Sequence, residues 1–525
     1  MGDPTLSVVG VATYESLQES FQWSIPARFN MGVACSDDQS PGSPALRMVD
    51  AAGSVSTVDF ARVTAMSDRV AGGLAALGIR RGDRVGIVLP QSLETAVTHL
   101  ALWKLGAVSL PLASLFGPDG LAYRLSDSGS KLVVTNRDNL AKVREAAPGL
   151  PLVVTGAEFE ELGGHEPIDH AMDTASEDPA YLIYTSGTTG QPKGALHAHR
   201  SLFGHLPGFE CYYEFAPRPG DLIWTPADWA WIGGLMDVLI PAWYFGMEVL
   251  TADHDFEPEW AADLMAEQRV TLAFIPPTAL KMMRAAGVTR SDLRLRAIFT
   301  GGEPLGEEML LWAETELGAR INEGYGQTEC NLVVGNCGSV WPVRAGSMGR
   351  ALPGHEVAIL DEEGNRLLGE EGEISVRSPD PVMMLEYWKR PDATQDKYRD
   401  GWLLTGDLGV EDEDGYLWFR SRKDDVISSM GYRIGPGEIE ESLMGHPAVA
   451  MCAVVGVPDE IRGQVPAAFV VLRDGVGQSE KLMTELQDHV RTRLAAHEVP
   501  RRVTFVDDLP RTTTGKIMRR ALRDL

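Results

Sequence analysis

The sequence predicts an α/β protein with mostly parallel sheets, a small antiparallel β-barrel-like subdomain, and a closing α+β domain. Three observations predict it. From about Phe60, short apolar runs alternate with longer amphipathic ones, as in layered strands and helices. After about Ser339, short strand patterns are separated by acidic, glycine-containing turns, the mark of a meander or small barrel. A polar stretch, Ser421-Arg422-Lys423-Asp424-Asp425, then precedes a compact α+β segment. The boundary falls near Arg422, dividing the chain into residues 1–421 and 422–525.

The elements follow in order. Arg84 to Leu89 reads as a strand and Leu93 to Leu105 as a helix. Lys131 to Thr135 and Leu150 to Val154 read as buried strands. Asp221 to Thr225, Met247 to Thr251, Thr271 to Ile275 and Leu295 to Thr300 are further strands, with helical patterns at Pro258 to Arg269 and Glu307 to Leu317. Glu356 to Leu360, Gly372 to Arg377 and Tyr416 to Arg420 form the meander, punctuated by Asp361-Glu362-Glu363-Gly364 and Asp412-Glu413-Asp414-Gly415. In the last segment Glu438 to Met444 and Glu480 to Ala495 read as helices, and Ala450 to Val455 and Ala467 to Leu472 as strands. Ala230 to Leu250 is the most apolar stretch, but Asp237, Pro241 and Glu248 interrupt it, so it reads as a buried helix plus a strand and not as a membrane span.

Composition excludes several functions. The 525 residues carry 47 basic and 74 acidic side chains, a net charge of −27. Such a surface repels nucleic-acid backbones and anionic membranes. The excess is uneven: from Ser421 onward the charges balance, while Arg501 to Leu525 is basic. Five widely spaced cysteines without a CxxC pair argue against a disulfide framework and a zinc site. They fit a reducing, cytoplasmic compartment. The first residues lack the pattern of a signal peptide.

The most informative segment is Tyr184-Thr185-Ser186-Gly187-Thr188-Thr189-Gly190-Gln191-Pro192-Lys193-Gly194, after the apolar strand Ala180 to Ile183 and before an expected helix. Its hydroxyls and backbone N–H groups suit phosphate oxygens, its glycines permit close approach, and Lys193 adds positive charge. The Walker A spacing does not fit. His197, His199 and His205 lie beside it, on the helix expected there, and need no metal to explain them. No serine nucleophile elbow and no GxGxxG after a strand is present.

This segment resembles the signature loop of the adenylate-forming superfamily. Other segments resemble that family in the same order: Gly302-Glu303-Pro304, Glu323-Gly324-Tyr325-Gly326-Gln327-Thr328-Glu329, Thr405-Gly406-Asp407, Arg422-Lys423-Asp424-Asp425, Gly431-Tyr432-Arg433-Ile434-Gly435, and Pro510 to Lys516. The resemblance is strongest to the acetyl-CoA and medium-chain acyl-CoA synthetase branch. It implies two βα subdomains within residues 1–421 and a mobile C-terminal lid. It also implies a ligase that joins a carboxylic acid to AMP and then to CoA, with ATP, Mg²⁺ and CoA as cofactors.

The resemblance assigns roles residue by residue. Lys516 would be the catalytic cation where negative charge gathers between the α-phosphate and the attacking carboxylate. Thr185, Ser186, Gly187, Thr188, Thr189 and Lys193 would surround the phosphates, and Gly302, Glu303, Pro304, Glu323, Gly324, Tyr325, Gly326, Gln327 and Thr328 would hold AMP. Tyr325 would stack on adenine, Asp407 and Arg422 would face the ribose, and Glu329 would bind magnesium, which needs few protein ligands. Asp424 would be the hinge that exchanges Lys516 for a thioester face carrying Gly431, Tyr432 and Arg433, with Arg462 and Arg491 toward CoA. Arg519 and Arg520 are expected on the surface. In resembling bacterial enzymes the lysine matching Lys516 can be acetylated, so a lysine acetyltransferase is an implied partner. A homodimer is open.

Trp231, Ile232, Gly233, Gly301 and Gly326 are the implied acyl-pocket positions. Acetyl-selective relatives carry Trp where this chain has Gly326, and three glycines at wall positions suggest room beyond acetate. A medium-chain, branched or aryl acid is therefore expected, since each buried methylene adds about 0.8 kcal/mol. Alternatives are a stand-alone adenylation enzyme loading a carrier protein in trans, a non-catalytic acyl or nucleotide binder, and a luciferase-like oxygenase.

Overall fold

The computed structural model describes residues 13–185, 191–303, 305–429, 432–459, 462–494, 498–511 and 517–523. The chain divides into two compact units. The larger comprises 1–187, 191–356 and 377–401, and the smaller 188–190, 357–376 and 402–525.

The larger unit contains two sheets with parallel interiors. One is seven-stranded, in the order Glu386–Tyr387, Gly194–Ala198, Pro179–Tyr184, Val108–Pro111, Arg84–Val88, Leu132–Thr135, Leu152–Val154. Pairings from Pro179–Tyr184 through Leu152–Val154 are parallel, and the other two are antiparallel. The buried Val/Ile/Leu runs at Arg84–Val88 and Leu132–Thr135 suit strands covered on both faces. Helices Leu93–Lys104 and Phe60–Ala76 cover one face, their start fixed by Ser92 and Asp59 side chains that accept backbone N–H groups.

The second sheet runs Gly349–Ala351, Cys330–Gly335, Arg320–Gln327, Ala297–Gly301, Leu272–Phe274, Leu222–Trp224, Glu248–Ala252, Pro44–Val49, Val55–Asp59 within this unit. Its interior pairs are parallel. The order reverses at Leu222–Trp224: the next strand, Glu248–Ala252, joins one side, and the following one, Leu272–Phe274, joins the other. Ligands of parallel sheets bind outside the carboxyl ends of strands at such a reversal. Trp224 and Phe274 end the two strands there.

In the smaller unit, Arg366–Leu367, Val357–Leu360, Gly372–Arg377, Trp402–Glu411 and Tyr416–Arg422 form the expected meander. Tyr432–Ile434, Ile427–Ser429, Gly463–Leu472 and Val449–Asp459 form another sheet, with Arg502–Phe505 parallel to Gly463–Leu472. Helices Pro436–Met444 and Glu480–Arg491 pack on it through Ile439, Leu443, Leu486 and Val490.

Most expected elements form within one to three residues of their expected ends. Two readings are corrected. The segment after the signature loop is a strand, Gly194–Ala198, with the helix starting only at Ser201. Ala-Leu-His-Ala has no strong strand preference; pairing with Pro179–Tyr184 decides it. The hairpin of Arg320–Gln327 and Cys330–Gly335 was legible only as a strand and loop, because glycine and polar residues dominate its first arm. All five cysteines are free and buried. Among the described residues no helix is long and apolar enough to cross a membrane.

Candidate active site

The signature loop joins two antiparallel strands of the larger unit. Thr185 closes its base, where the backbone N–H donates to Lys193 O at 2.8 Å and the hydroxyl donates to the same oxygen at 3.3 Å. Lys193 is exposed, with Nζ 5.1 Å from the Tyr387 ring centroid. Ser186, Gly187, Thr188 and Thr189 lie outside the described residues.

Tyr387 also reaches the second motif. Its hydroxyl donates to Glu329 Oε1, and the Met384 N–H donates to Glu329 O at 2.9 Å. Glu329 is 9% exposed, and its Oε2 has no hydrogen-bond partner among the described residues. A single carboxylate oxygen kept available in this way fits a magnesium ion that retains its waters. The sequence reading missed Tyr387; its only signal was an aromatic pair, Tyr387-Trp388, beside Lys389.

Glu323 to Gln327 lie on an interior strand of the second sheet, between Ala297–Gly301 and Cys330–Gly335. Glu323 is buried, and desolvation pushes its carboxyl up to about 8, only partly offset by the Leu305 backbone and Lys281. Its own carbonyl accepts from Asn336 N and Nδ2, each at 3.1 Å. Gly324 and Gly335 sit against the buried Tyr212 ring: a Cβ would lie 2.3 Å from its Oη at the first and 2.1 Å from its Cε1 at the second. Tyr325 and Gln327 pair in register with Val334 and Cys330, and Thr328 follows in the turn. Gly302 has φ +92°, and Glu303 Oε2 accepts the Thr278 hydroxyl at 3.2 Å. Pro304 lies outside the described residues.

Of the expected acyl-pocket positions, Gly233 lies beside Phe274 at the sheet reversal, while Gly301 and Gly326 lie on the strands Ala297–Gly301 and Arg320–Gln327. Trp231 packs edge-on against Phe116 at 5.6 Å, Ile232 starts the short helix Ile232–Gly234, and Gly233 lies beside Phe274. A Cβ on Gly233 would sit 2.8 Å from Phe274 Cε1 and 3.6 Å from Asp237 Oδ2. Phe274 stacks on Phe299 at 5.0 Å, which stacks on Tyr212 at 4.1 Å. At Gly301 a Cβ would meet Gly324 O at 2.6 Å, and at Gly326 the Leu332 N at 2.4 Å. Neighbouring backbone therefore demands glycine at these two positions, and a missing side chain there does not by itself measure pocket room.

The smaller unit carries the remaining motifs. Asp407 and Arg422 face each other across two paired strands, with Arg422 Nε 2.9 Å from Asp407 Oδ1. The N–H is not aimed along that line, so this contact is ionic and not a formed hydrogen bond. The Thr405 hydroxyl donates to Ile374 O at 2.7 Å and accepts from Asp407 N at 3.1 Å. Gly406, at φ +76°, donates its N–H to Glu373 Oε1 at 2.9 Å.

Asp424 lies in the short 3₁₀ turn Lys423–Asp425, and its carbonyl accepts from Arg523 Nη2 at 3.2 Å. Arg519 corrects its expected surface position: Nη2 is 2.7 Å from Glu440 Oε2 and Nη1 3.6 Å from Asp425 Oδ2. Tyr432 and Arg433 belong to a strand paired with Ile427–Ser429. Arg462 follows Val449–Asp459, its N–H donating to Asp459 Oδ1 at 2.8 Å. Arg491 ends its helix in an exposed pair with Asp488. Gly431 and Lys516 lie outside the described residues.

The histidines beside the loop are all buried. His197 is on the strand Gly194–Ala198 and stacks on Tyr181 at 4.7 Å, and His199 Nδ1 accepts from Met31 N at 3.2 Å. His205 lies in the helix Ser201–Tyr212 and donates to Ser201 O at 2.6 Å. Burial lowers all three, to about 3 for His197 and about 4 for the others. Among the described residues no group of three His, Cys, Asp or Glu side chains is placed to hold a metal ion.

Two parallel-cored sheets, a phosphate-suited hairpin loop and an appended α+β segment define an adenylate-forming enzyme. The chain belongs to the AMP-binding enzyme family: residues 35–388 match the AMP-binding enzyme model, and 438–516 match the AMP-binding enzyme C-terminal domain. It is 36% identical to the mitochondrial acyl-coenzyme A synthetase ACSM4 of Rattus norvegicus, over 95% of this chain and 91% of that one. It is 34% identical to an acetyl-coenzyme A synthetase of Bacillus subtilis (strain 168), over 85% and 81%. Among solved structures, a Brucella canis acyl-CoA synthetase matches with TM-score 0.76 and 32% identity over 98% of each chain. A benzoate CoA ligase from Burkholderia xenovorans LB400 matches with TM-score 0.84 and 27% identity, covering 94% of this chain and 100% of the other. The chain is an AMP-forming acid–thiol ligase that uses ATP and CoA. Loading of a carrier protein is not favoured, since these relatives are named as CoA ligases.

Proposed function

We propose that this acyl-CoA synthetase acts on a medium-chain, branched or aryl carboxylic acid in preference to acetate. The observation that carries this reading is the sheet reversal at Leu222–Trp224 and Leu272–Phe274, where Gly233 faces the aromatic stack of Phe274, Phe299 and Tyr212. Ligand sites favour such a crevice, and aromatic walls suit an acid with a large apolar body. The benzoate CoA ligase neighbour has this fold.

In the first step the acid's carboxylate oxygen attacks the α-phosphorus of ATP. An O–P bond forms, the bond to the bridging oxygen breaks, and pyrophosphate leaves. Thr185, the loop hydroxyls and Lys193 hold the phosphates, Lys516 stabilises the charge developing at the α-phosphate, and Asp407 with Arg422 receives the ribose. Glu329 would hold Mg²⁺, whose charge screens the phosphate oxygens from the incoming carboxylate. Tyr387 fixes that carboxylate through Oε1. In the second step the CoA thiolate attacks the acyl carbon and AMP leaves. The segment around Gly431 would then replace Lys516 through rotation at Asp424. The reaction would run in the cytoplasm, a reading supported by the five free, buried cysteines.

The test is kcat/KM for acetate, C4 to C10 linear and branched acids, and benzoates, scored by AMP release and thioester formation. A maximum at one of the larger acids is expected. A clear preference for acetate sinks the proposal.

A further inference from the structure

We propose, resting on that reading of the acyl pocket, that Asp237 selects an acid bearing a hydroxyl or aromatic amino substituent on its chain or ring. Asp237 lies in the wide helical turn Leu235–Leu239, and such turns recur at functional sites. It is 4% exposed. Its Oδ1 accepts from Asn331 Nδ2 at 2.5 Å, while Oδ2 has no hydrogen-bond partner among the described residues. That free oxygen is the one facing Gly233, 3.6 Å from the position of a Cβ there.

Asn331 ties the same pair to the other pocket position. It is 6% exposed, and its Cα lies 2.8 Å from where a Cβ on Gly326 would be. The hydrogen-bonded pair Asp237 and Asn331 thus spans from Gly233, through Asp237 Oδ2, to Gly326, through the Asn331 backbone, beside the apolar ring of Phe274.

A buried carboxyl with one oxygen unbonded is unfavourable in a wall meant only for apolar substrates, where leucine would pack better. A substituent that hydrogen-bonds to Oδ2 removes that penalty, and the same penalty returns when an unsubstituted acid binds. Burial also holds the Asp237 carboxyl well above the usual carboxylate range. That shift favours the protonated form, which can donate to a hydroxyl, while either form can accept from an aromatic amine. Sites built this way discriminate against analogues lacking the polar group far more strongly than apolar pockets discriminate by size.

The experiment compares thioester formation by the full-length enzyme, with ATP, Mg²⁺ and CoA, on matched acids. Benzoate is set against hydroxy- and aminobenzoates, and hexanoate against hydroxyhexanoates. In the wild type at least one substituted acid should exceed its parent by about tenfold or more in kcat/KM. Asp237→Leu should abolish or invert that ratio while still forming thioester from the parent acid. Asp237→Asn keeps the volume and should also shift the ratio, which covers misfolding of the leucine variant. A wild type that prefers the parent of every pair overturns the inference, as does an unchanged ratio in both variants. Thioester from larger apolar acids alone overturns this inference and leaves the reading beneath it standing. Thioester from acetate and no larger acid overturns both.

Discussion

The two units hold their functional residues by opposite means. In the larger unit several polar groups around the expected AMP and acyl positions are buried, and burial shifts them toward their neutral forms. Glu323 is pushed up to about 8, Asp237 is raised by the same cause, and His197 is lowered to about 3. In the smaller unit the motif residues sit in ion pairs: Asp407 with Arg422, Glu373 with Lys423, Glu440 with Arg519, and Asp425 with Arg523. The buried framework is fixed by packing, is nearly indifferent to salt, and provides a low-dielectric wall where a few charges act strongly. Glu440 with Arg519 and Asp425 with Arg523 lie in the segment expected to turn at Asp424, while Asp407 with Arg422 and Glu373 with Lys423 precede that hinge; in all four a partly exposed cation meets a largely buried carboxylate.

The contrast should break most sharply at Lys516, the proposed catalytic lysine. Lys516→Ala should lower the adenylation rate by about 100- to 1000-fold, yet spare thioester formation from supplied acyl-adenylate. Gly431→Leu should do the reverse. Separate half-reaction assays decide it, and loss of the same step in both variants would refute the turning lid.

The packed framework is tested at Gly324. Gly324→Ala places a Cβ 2.3 Å from Tyr212 Oη, and the buried ring has no slack, since it stacks on Phe299 and its hydroxyl donates to Val334 O at 2.5 Å. A loss of about 1–3 kcal/mol is expected, read as a lower thermal midpoint that changes little between 50 mM and 500 mM salt.

The ion-paired unit should respond differently. Arg519→Ala leaves Glu440 without the cation that offsets its burial, at a cost of about 1–2 kcal/mol. The effect should shrink as salt rises. A salt-independent loss equal to that of Gly324→Ala would erase the proposed difference between the units.

The smallest effect is a pH slope. Glu323 has a folded value near 8, above its ordinary 4.5. Between those values the unfolded chain has released a proton that the folded chain retains, so stability falls as pH rises through this window. Glu323→Gln removes that proton difference. Its melting temperature, relative to wild type, should therefore rise from pH 5 to pH 8. A parallel shift at both pH values would mean Glu323 is ionised when folded.

Local pattern made much of the chain legible. Arg84–Val88, Leu93–Lys104 and Pro258–Gln268 announce themselves by apolar pattern, helped by the Ser92 cap of the first helix and the leading proline of the second, because those signals lie within a few residues of one another. Gly194–Ala198 does not, since its strand state comes from a partner strand across the signature loop. Likewise Arg519 looks like one member of a basic surface run until Glu440 and Asp425, distant in sequence, are brought beside it.

The sequence by itself determined the family, the order of motifs and the division of charge, because each is written in residue identity and spacing. Only the tertiary structure decided what surrounds those residues. It gave Glu329 its tyrosine, buried Glu323 and Asp237 so that their carboxyls are raised above the ordinary range, and assigned the glycines at 301 and 326 to close backbone contacts. Burial, proton affinity and steric room are properties of the space between elements, and that space exists only once the sheets have paired.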